Sequence, residues 1–341
     1  MKSSFKKFNK VFIIAEAGVN HNGSLKKAMK LVDIAAKANV DAIKFQTFLP
    51  GEISGEYSIN IGYLKKNKIK RHLLSKKLAL SFDDFIKLKK YCDKKKILFL
   101  STPDGEKSLS FLVNKIKVPI IKIGSSEVTN HEFLKLIARS KLPIIFSTGM
   151  STLQEVQKAY KILKKNSSQE IVVMHCTTEY PAPINEMNIN CISTLKKKLK
   201  CTVGLSDHSQ TNISSIAAIS LGAKVIEKHF TINKSHSGPD HKASLSPKEL
   251  NFFVKDLRNV EKCLGSYIKQ PTKSEIRNIP GVRRGLVASK KLKKGTKLKS
   301  EMIAAKRPYK GLSPFDKSKI IGKKLKKNLN YDQPILLKDL K

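Results

Sequence analysis

At 341 residues the chain is longer than an ordinary single domain and suits a barrel of roughly 250 residues followed by a smaller module. Hydrophobic residues at 40% supply a large core and exclude global disorder, and no run approaches the roughly 20 apolar residues of a membrane span. The formal charge of +40 would suit a polyanion binder. The excess is nearly all lysine, however, lies along every amphipathic stretch, and comes with no helix-turn-helix, zinc-finger or RNA-binding signature, so a solvated basic surface without a specific nucleic-acid partner is the expectation.

The basic start (Lys2, Lys6, Lys7, Lys10) ahead of 11–15 imitates a signal peptide until Glu16 interrupts the apolar run, and no cleavage-like site follows. From there short β-rich runs alternate with longer amphipathic stretches, the pattern of a parallel sheet with crossover helices. Eight strands are predicted, at 11–18, 41–47, 97–103, 120–127, 143–150, 171–181, 202–209 and 225–231. Helices are predicted at 24–38, 82–95, 151–165 and 212–221, the third opening on Thr152 and Glu155 at capping-box spacing. A last one starts at Ser246, followed by Pro247 and Glu249. The stretch 48–80 exceeds an ordinary connection and reads as a lid or substrate loop. Past 265 the pattern breaks into short strands and glycine-punctuated turns. The expected organisation is an α/β chain: a (β/α)8 TIM barrel over 1–265, a linker over 266–282 and a small domain over 283–341. Cys92, Cys176, Cys191, Cys201 and Cys263 are scattered without a Cys-x-x-Cys pair, which argues against a disulfide frame and fits a cytoplasmic location.

Every predicted strand ends in small or polar residues, and in a barrel those ends share one rim. Lys44 and Lys122 stand inside apolar strands, where an unpaired ammonium is costly, so an anion is expected beside them. With the hydroxyls of Thr102, Ser125, Ser147 and Ser206, that anion could be a phosphate together with a carboxylate. The alternative is an internal carboxylate: Glu16, Glu127 or Glu227. His208 and His229 end the seventh and eighth strands and can converge on an exchangeable divalent metal, or each can be an ordinary hydrogen-bonded histidine. Strand alternation puts Glu227 on the face of His229, in reach of the ring or a bound water. His175 sits mid-strand and reads as packing or substrate support. Asp240, in the turn 237–241, offers an acceptor for substrate hydroxyls or belongs to a plain turn.

The ordered set EAGVNHNGS (16–24), KFQT (44–47), STP (101–103), KIGSSE (122–127), STGM (147–150), HCTTEYPAP (175–183), GLSDH (204–208), EKHFT (227–231) and GPDHKAS (238–244) resembles the sialic acid synthase family. Beyond it, RRGLVASKKLKKG (283–295) and KRPYKG (306–311) resemble the antifreeze-like (SAF, β-clip) domain of those enzymes. The resemblance implies condensation of phosphoenolpyruvate with N-acetylmannosamine to N-acetylneuraminate, with phosphate leaving by C–O cleavage. It implies that Lys44, Lys122, Ser147, Ser206, Thr102 and Ser125 hold phosphoenolpyruvate. His208 and His229 would bind Mn2+, or Mg2+ or Co2+ in its place, and Glu16, Glu227 and His229 would serve the chemistry. Gln46, Glu127, Tyr180 and Asp240 would contact the sugar. Arg307 would reach the N-acyl group from the partner of a domain-swapped homodimer.

Three places depart from the family pattern: Ser126 where glycine is usual, Asp104 where phenylalanine is usual, and 58–75, which lacks a clear Gln-rich segment. The same motifs suit a diacetyllegionaminate precursor as the sugar and, less well, a pseudaminate precursor. A basic, catalytically inert polyanion-binding barrel is the rival of another class, and the presence of Lys44, Lys122, His208 and His229 speaks against it.

Overall fold

The computed structural model describes residues 10–53, 55, 57–58 and 71–341. Runs rich in Ile, Val and Phe form eight strands: β1 (Phe12–Gly18), β2 (Ala42–Thr47), β3 (Leu98–Pro103), β4 (Ile121–Ile123), β5 (Ile144–Ser147), β6 (Ile171–Cys176), β7 (Thr202–Asp207) and β8 (Val225–His229). They join in the order β3-β2-β1-β8-β7-β6-β5-β4, all parallel, and β3 packs beside β4 to make a nearly closed barrel.

Period-two alternation sends one set of side chains inward and the other out to the helices. Phe12, Ile14, Ala42, Leu100, Ile120, Ile145, Val172, Met174 and Val225 fill the barrel interior as one cluster. The alternate set, including Ile13, Phe45, Phe99, Phe146, Val173 and Ile226, packs against the surrounding helices. The helix Leu25–Lys37 buries Ala28, Leu31, Val32 and Ala35, at i, i+3, i+4 and i+7, and Ser24 accepts the Lys27 amide at its start. Its lysines stay off that buried stripe, so much of the +40 charge is carried by solvated helix faces. Capping boxes start Phe82–Lys94, Leu153–Asn166 and Pro247–Leu264.

Four expectations need adjusting. The fourth strand is only Ile121–Ile123, and Ser125–Glu127 form a 3-10 turn after Gly124. The sixth ends at Cys176 because the chain turns off the barrel before Pro181 and Pro183, which lack the N–H a ladder needs. Within 48–80 two short helices form, Pro50–Ile53 and Arg71–Leu78, while 54, 56 and 59–70 lie outside the described residues. The expected linker contains a helix, Lys273–Val282, started by a Thr272/Glu275 capping box.

The chain divides between Gly265 and Ser266. In the second unit β9 (Gly285–Ala288) pairs antiparallel with β10 (Ile303–Lys306) over a small core including Leu286, Leu298, Leu325 and Ile335. The five cysteines are free, and among the described residues no helix is long and apolar enough to cross a membrane.

Candidate active site

The alternation that fills the barrel also builds its upper end. Counting two residues on from the last apolar inward positions gives Glu16 after Ile14, Lys44 and Gln46 after Ala42, Thr102 after Leu100, Lys122 after Ile120, Ser147 after Ile145, Cys176 after Met174, and Glu227 and His229 after Val225. Ladder register then sets these ends level: Glu16 lies opposite both Lys44 and His229, and Ser206 opposite both Cys176 and Glu227. The result is a cavity of about 540 Å³ that these residues line together with Ser125, Glu127, Tyr180 and His208. It opens at the carboxyl ends of the strands, where TIM-barrel enzymes place their chemistry.

Its floor is a buried four-charge cluster. Lys44 Nζ lies 2.8 Å from Glu16 Oε2 and 3.8 Å from Glu227 Oε1, and donates to Thr102 Oγ1 at 3.1 Å. Lys122 Nζ lies 3.5 Å from Glu227 Oε1 and donates to Ser147 Oγ at 2.7 Å. Both lysines therefore have internal carboxylate partners, as one of the sequence alternatives had it. That does not remove the anion-site reading, because the hydroxyls of Ser147, Thr102 and Ser206 cluster on the same charges. Burial pushes the Glu16 carboxyl up to about 7 against the pull of Lys44. Burial lowers Lys122, with Glu227 opposing. Glu227 is also raised by burial, but Lys122 and Lys44 outweigh this and hold it below the usual carboxylate range.

Above the cluster the imidazoles of His208 and His229 face each other with ring centroids 5.4 Å apart, and Tyr180 stacks on His208 at 4.1 Å. His208 Nδ1 donates to the Thr177 carbonyl at 2.7 Å. A carbonyl carries no proton, so a hydrogen sits on Nδ1, and Nε2, 3.4 Å from Ser206 Oγ, is the nitrogen that could meet a metal. Burial lowers the His208 pKa, but Cys176, the Thr177 carbonyl and Glu227 outweigh this and leave it raised. Burial, then His208 and the lysines, drive the His229 pKa well below its ordinary value, so this ring is neutral. His229 Nδ1 is buried without a hydrogen bond among the described residues, and the Asp240 carboxylate stands 4.0 Å from it. Burial raises Asp240 to about 6. His229 is neutral, and His208, raised against its burial by Cys176, would give up its proton when a cation binds; over lysines already matched by carboxylates the pair fits a divalent ion. Among the described residues no group of three or more His, Cys, Asp or Glu is placed to hold a metal ion.

Glu16, His229 and Asp240 converge on Gly18. A Cβ there would lie 3.3 Å from Glu16 Oε1, 3.4 Å from His229 Cε1 and 3.5 Å from Asp240 Oδ2, and the residue has a left-handed φ of +49°. Gly18→Ala is expected to lower unfolding free energy by about 1–2 kcal/mol through the backbone alone and to reduce turnover as the three groups are pushed apart. Unchanged denaturant unfolding and activity would show that the convergence has no consequence.

Other sequence-predicted residues fall into three groups. Ser125 Oγ accepts the Gly149 amide at 2.9 Å, and Glu127 accepts from Ser126 and Asn130, so these line the cavity while also fixing their own loops. His175, of the opposite strand parity, turns outward and meets the Met187 carbonyl through Nε2 at 2.7 Å, which is packing. Arg307 is exposed on the second unit. The sequence reading missed Cys176, whose Sγ lies 3.8 Å from His208 Nδ1, and Thr178, whose buried hydroxyl has no hydrogen-bond partner among the described residues. The signal for Cys176 was the Val172-Met174-Cys176 alternation. Asp104, noted only as a departure, also lines the cavity.

Residues 31–269 match the model of the NeuB family, and residues 283–341 match the SAF domain. Over 96% of the chain and 99% of the relative, it is 43% identical to the N,N'-diacetyllegionaminic acid synthase of Campylobacter jejuni. It is 38% identical to the protein of the same name from Legionella pneumophila, over 95% of this chain and 93% of that one. Among solved structures, the N-acetylneuraminic acid (sialic acid) synthetase of Leptospira borgpetersenii, in complex with citrate, superposes with a TM-score of 0.71 at 35% identity, covering 79% of this chain and 90% of that one.

Proposed function

The chain belongs to the NeuB family, and from that premise we propose that it joins phosphoenolpyruvate to the open-chain aldehyde of an N-acylated amino sugar, with water adding and phosphate leaving. The observation that carries this reading is the placement of two buried lysines, their hydroxyl partners and two histidines around one cavity at the carboxyl ends of the strands.

In this reading Lys122, Ser147, Ser125 and Ser206 receive the phosphate, and Lys44 with Thr102 receives the carboxylate, offsetting charge with groups already held in place. Phosphoenolpyruvate C3 forms the new bond to the aldehyde carbon, water oxygen adds at C2, and the C2–O bond breaks to release phosphate. Glu16, whose carboxyl titrates near 7, holds the proton that the aldehyde oxygen takes up as it becomes a hydroxyl, and Glu227 orients the water. His208 and His229 would hold Mn2+ or a similar ion, with Asp240 steadying the His229 ring. Such an ion supplies Lewis-acid polarisation of the aldehyde. Gln46, Glu127, Tyr180 and Asp240 meet the sugar's hydroxyl and acylamino groups. Arg307 enters the site of a second copy, making the working unit a homodimer.

The motifs alone put N-acetylmannosamine first. The names of two relatives aligned over nearly the whole chain favour the 2,4-diacetamido-2,4,6-trideoxy sugar instead, and the Leptospira structure keeps N-acetylmannosamine as the second reading. A site built to bond a particular amide discriminates strongly against a sugar lacking it. Product formation by mass, measured with phosphoenolpyruvate and Mn2+ across N-acetylmannosamine and the legionaminate and pseudaminate precursors, is expected to give kcat/KM at least about tenfold higher for the legionaminate precursor. Preference for another of the three would reassign the sugar, and turnover of none would end the synthase reading.

A further inference from the structure

Asp240 belongs to the stretch 231–244 after β8, which forms neither strand nor helix, yet Asp240, His241 and Ser244 are buried. A buried irregular segment must find partners for its polar groups somewhere. It finds them in the turn that follows β1, which the β1–β8 ladder brings alongside. Asn20 Nδ2 donates to the Phe230 carbonyl at 2.8 Å and to Ser244 Oγ at 2.9 Å, and Ser244 Oγ in turn donates to the Asp240 carbonyl at 2.7 Å. Asn22 Nδ2 donates to the Ser237 carbonyl at 2.8 Å.

His241 completes the connection. Its Nε2 lies 3.3 Å from Asn22 Oδ1, and its Nδ1 lies 2.6 Å from Thr231 Oγ1. An amide oxygen has no proton to give, so Nε2–H donates to Asn22 and Nδ1 accepts from the Thr231 hydroxyl. That direction requires a neutral ring, and burial lowers His241 to about 4. At Gly238 the packing admits no side chain: a Cβ would fall 2.6 Å from His241 Cδ2 and 2.9 Å from Asn22 Oδ1. Two asparagines of the first βα turn thus clamp the last βα loop at both ends of the stretch that carries Asp240.

We infer that Asn20, Asn22 and His241 are positioning residues, which hold Asp240 within 4.0 Å of His229, a residue of the cavity wall, for its contact with the sugar. The inference rests on the reading of Asp240 as a sugar contact. A misplacement of about 1 Å can cost on the order of a hundredfold in rate, and the loop's own backbone bonds are a bridge between Phe230 and Leu245 and short local turns rather than a ladder through Asp240.

The test uses the full chain and the variants Asn22→Ala, His241→Ala and His241→Gln, each alone and combined with Asp240→Ala. Amide hydrogen exchange should quicken by about tenfold or more over 237–245 in Asn22→Ala, with β2 to β6 unchanged. With the accepted sugar as the varied substrate, kcat/KM should fall about ten- to a hundredfold while KM for phosphoenolpyruvate holds. His241→Gln should regain part of the loss, because its amide N–H can still donate to Asn22. In the Asp240→Ala background Asn22→Ala should cost nothing further, since residues acting through one group are not additive. Unchanged exchange over 237–245, or losses that multiply independently in the Asp240→Ala background, would overturn the inference. If the unmodified chain turns over none of the three sugars, the functional reading falls, and the exchange measurement then decides the clamp by itself.

Discussion

Replacing Lys228 with methionine is expected to destabilise the barrel by about 3–5 kcal/mol, the usual cost of stripping one partner from a buried ion pair. Lys228 alternates with Glu227 and His229 and so points out of the barrel, where it is only 1% exposed. Its Nζ lies 2.9 Å from Asp207 Oδ2, donates to the carbonyls of Ser209 and Thr211 at 2.7 and 3.0 Å, and rests 5.7 Å from the Phe253 ring centroid. Asp207 also accepts the Ser209 amide and, at 2.6 Å, the Ser215 hydroxyl. Without the ammonium, the fully buried Asp207 charge keeps only those two neutral donors. The two loop carbonyls lose their donor as well, and the loop begins with His208. Urea unfolding of the barrel transition measures the loss. Adding Asp207→Asn should restore a good part of it by removing the stranded charge, whereas a loss under about 1 kcal/mol would mean that water reaches the pair.

Lys122→Met should show the opposite division of effects. Lys122 is buried at the floor of the cavity, its burial penalty offset by Glu227 and by donation to Ser147. In the variant Glu227 keeps Lys44 at 3.8 Å and the Ser206 hydroxyl at 3.1 Å, so the fold loses less than it does with Lys228→Met, where no cation remains. The phosphate of phosphoenolpyruvate loses a preorganised cation in a site of low dielectric. The expected result is a fall in kcat/KM for phosphoenolpyruvate of at least about 10²–10³-fold, with a melting temperature near that of the unmodified chain. Steady-state kinetics with each substrate varied in turn will show it. An unaltered kcat/KM would remove Lys122 from the phosphate site.

The barrel was legible because its two periodicities are clean. Alternating apolar residues mark strands, and the 3.6-residue stripes of helices such as Leu25–Lys37 are bounded by capping residues. The site was legible where it lies on strands, since Glu16, Lys44, Thr102, Lys122, Ser147, Ser206, Glu227 and His229 follow from strand parity and a shared rim. Cys176 was hidden only because the sixth strand was read through to 181, which blurred where its inward face ended. Loop residues were a different matter. Nothing local in GPDH indicates that Asp240 comes within 4.0 Å of His229, because that placement is made by Asn20 and Asn22, more than 200 residues earlier in the chain. Charge partners were likewise open: a lysine inside an apolar strand demands an anion, but only the barrel's register shows that Lys44 meets both Glu16 and Glu227. The helix Lys273–Val282 was missed despite its capping box, since it buries no apolar stripe to betray it.

Phosphate release from phosphoenolpyruvate, followed with chelator-stripped and Mn2+-replenished protein in the presence and absence of the acylated amino sugar, tests the central claim most directly. Release is expected only when metal and sugar are both present, with one phosphate formed for each new nine-carbon acid. Release without sugar, or undiminished turnover after the metal is removed, would contradict it.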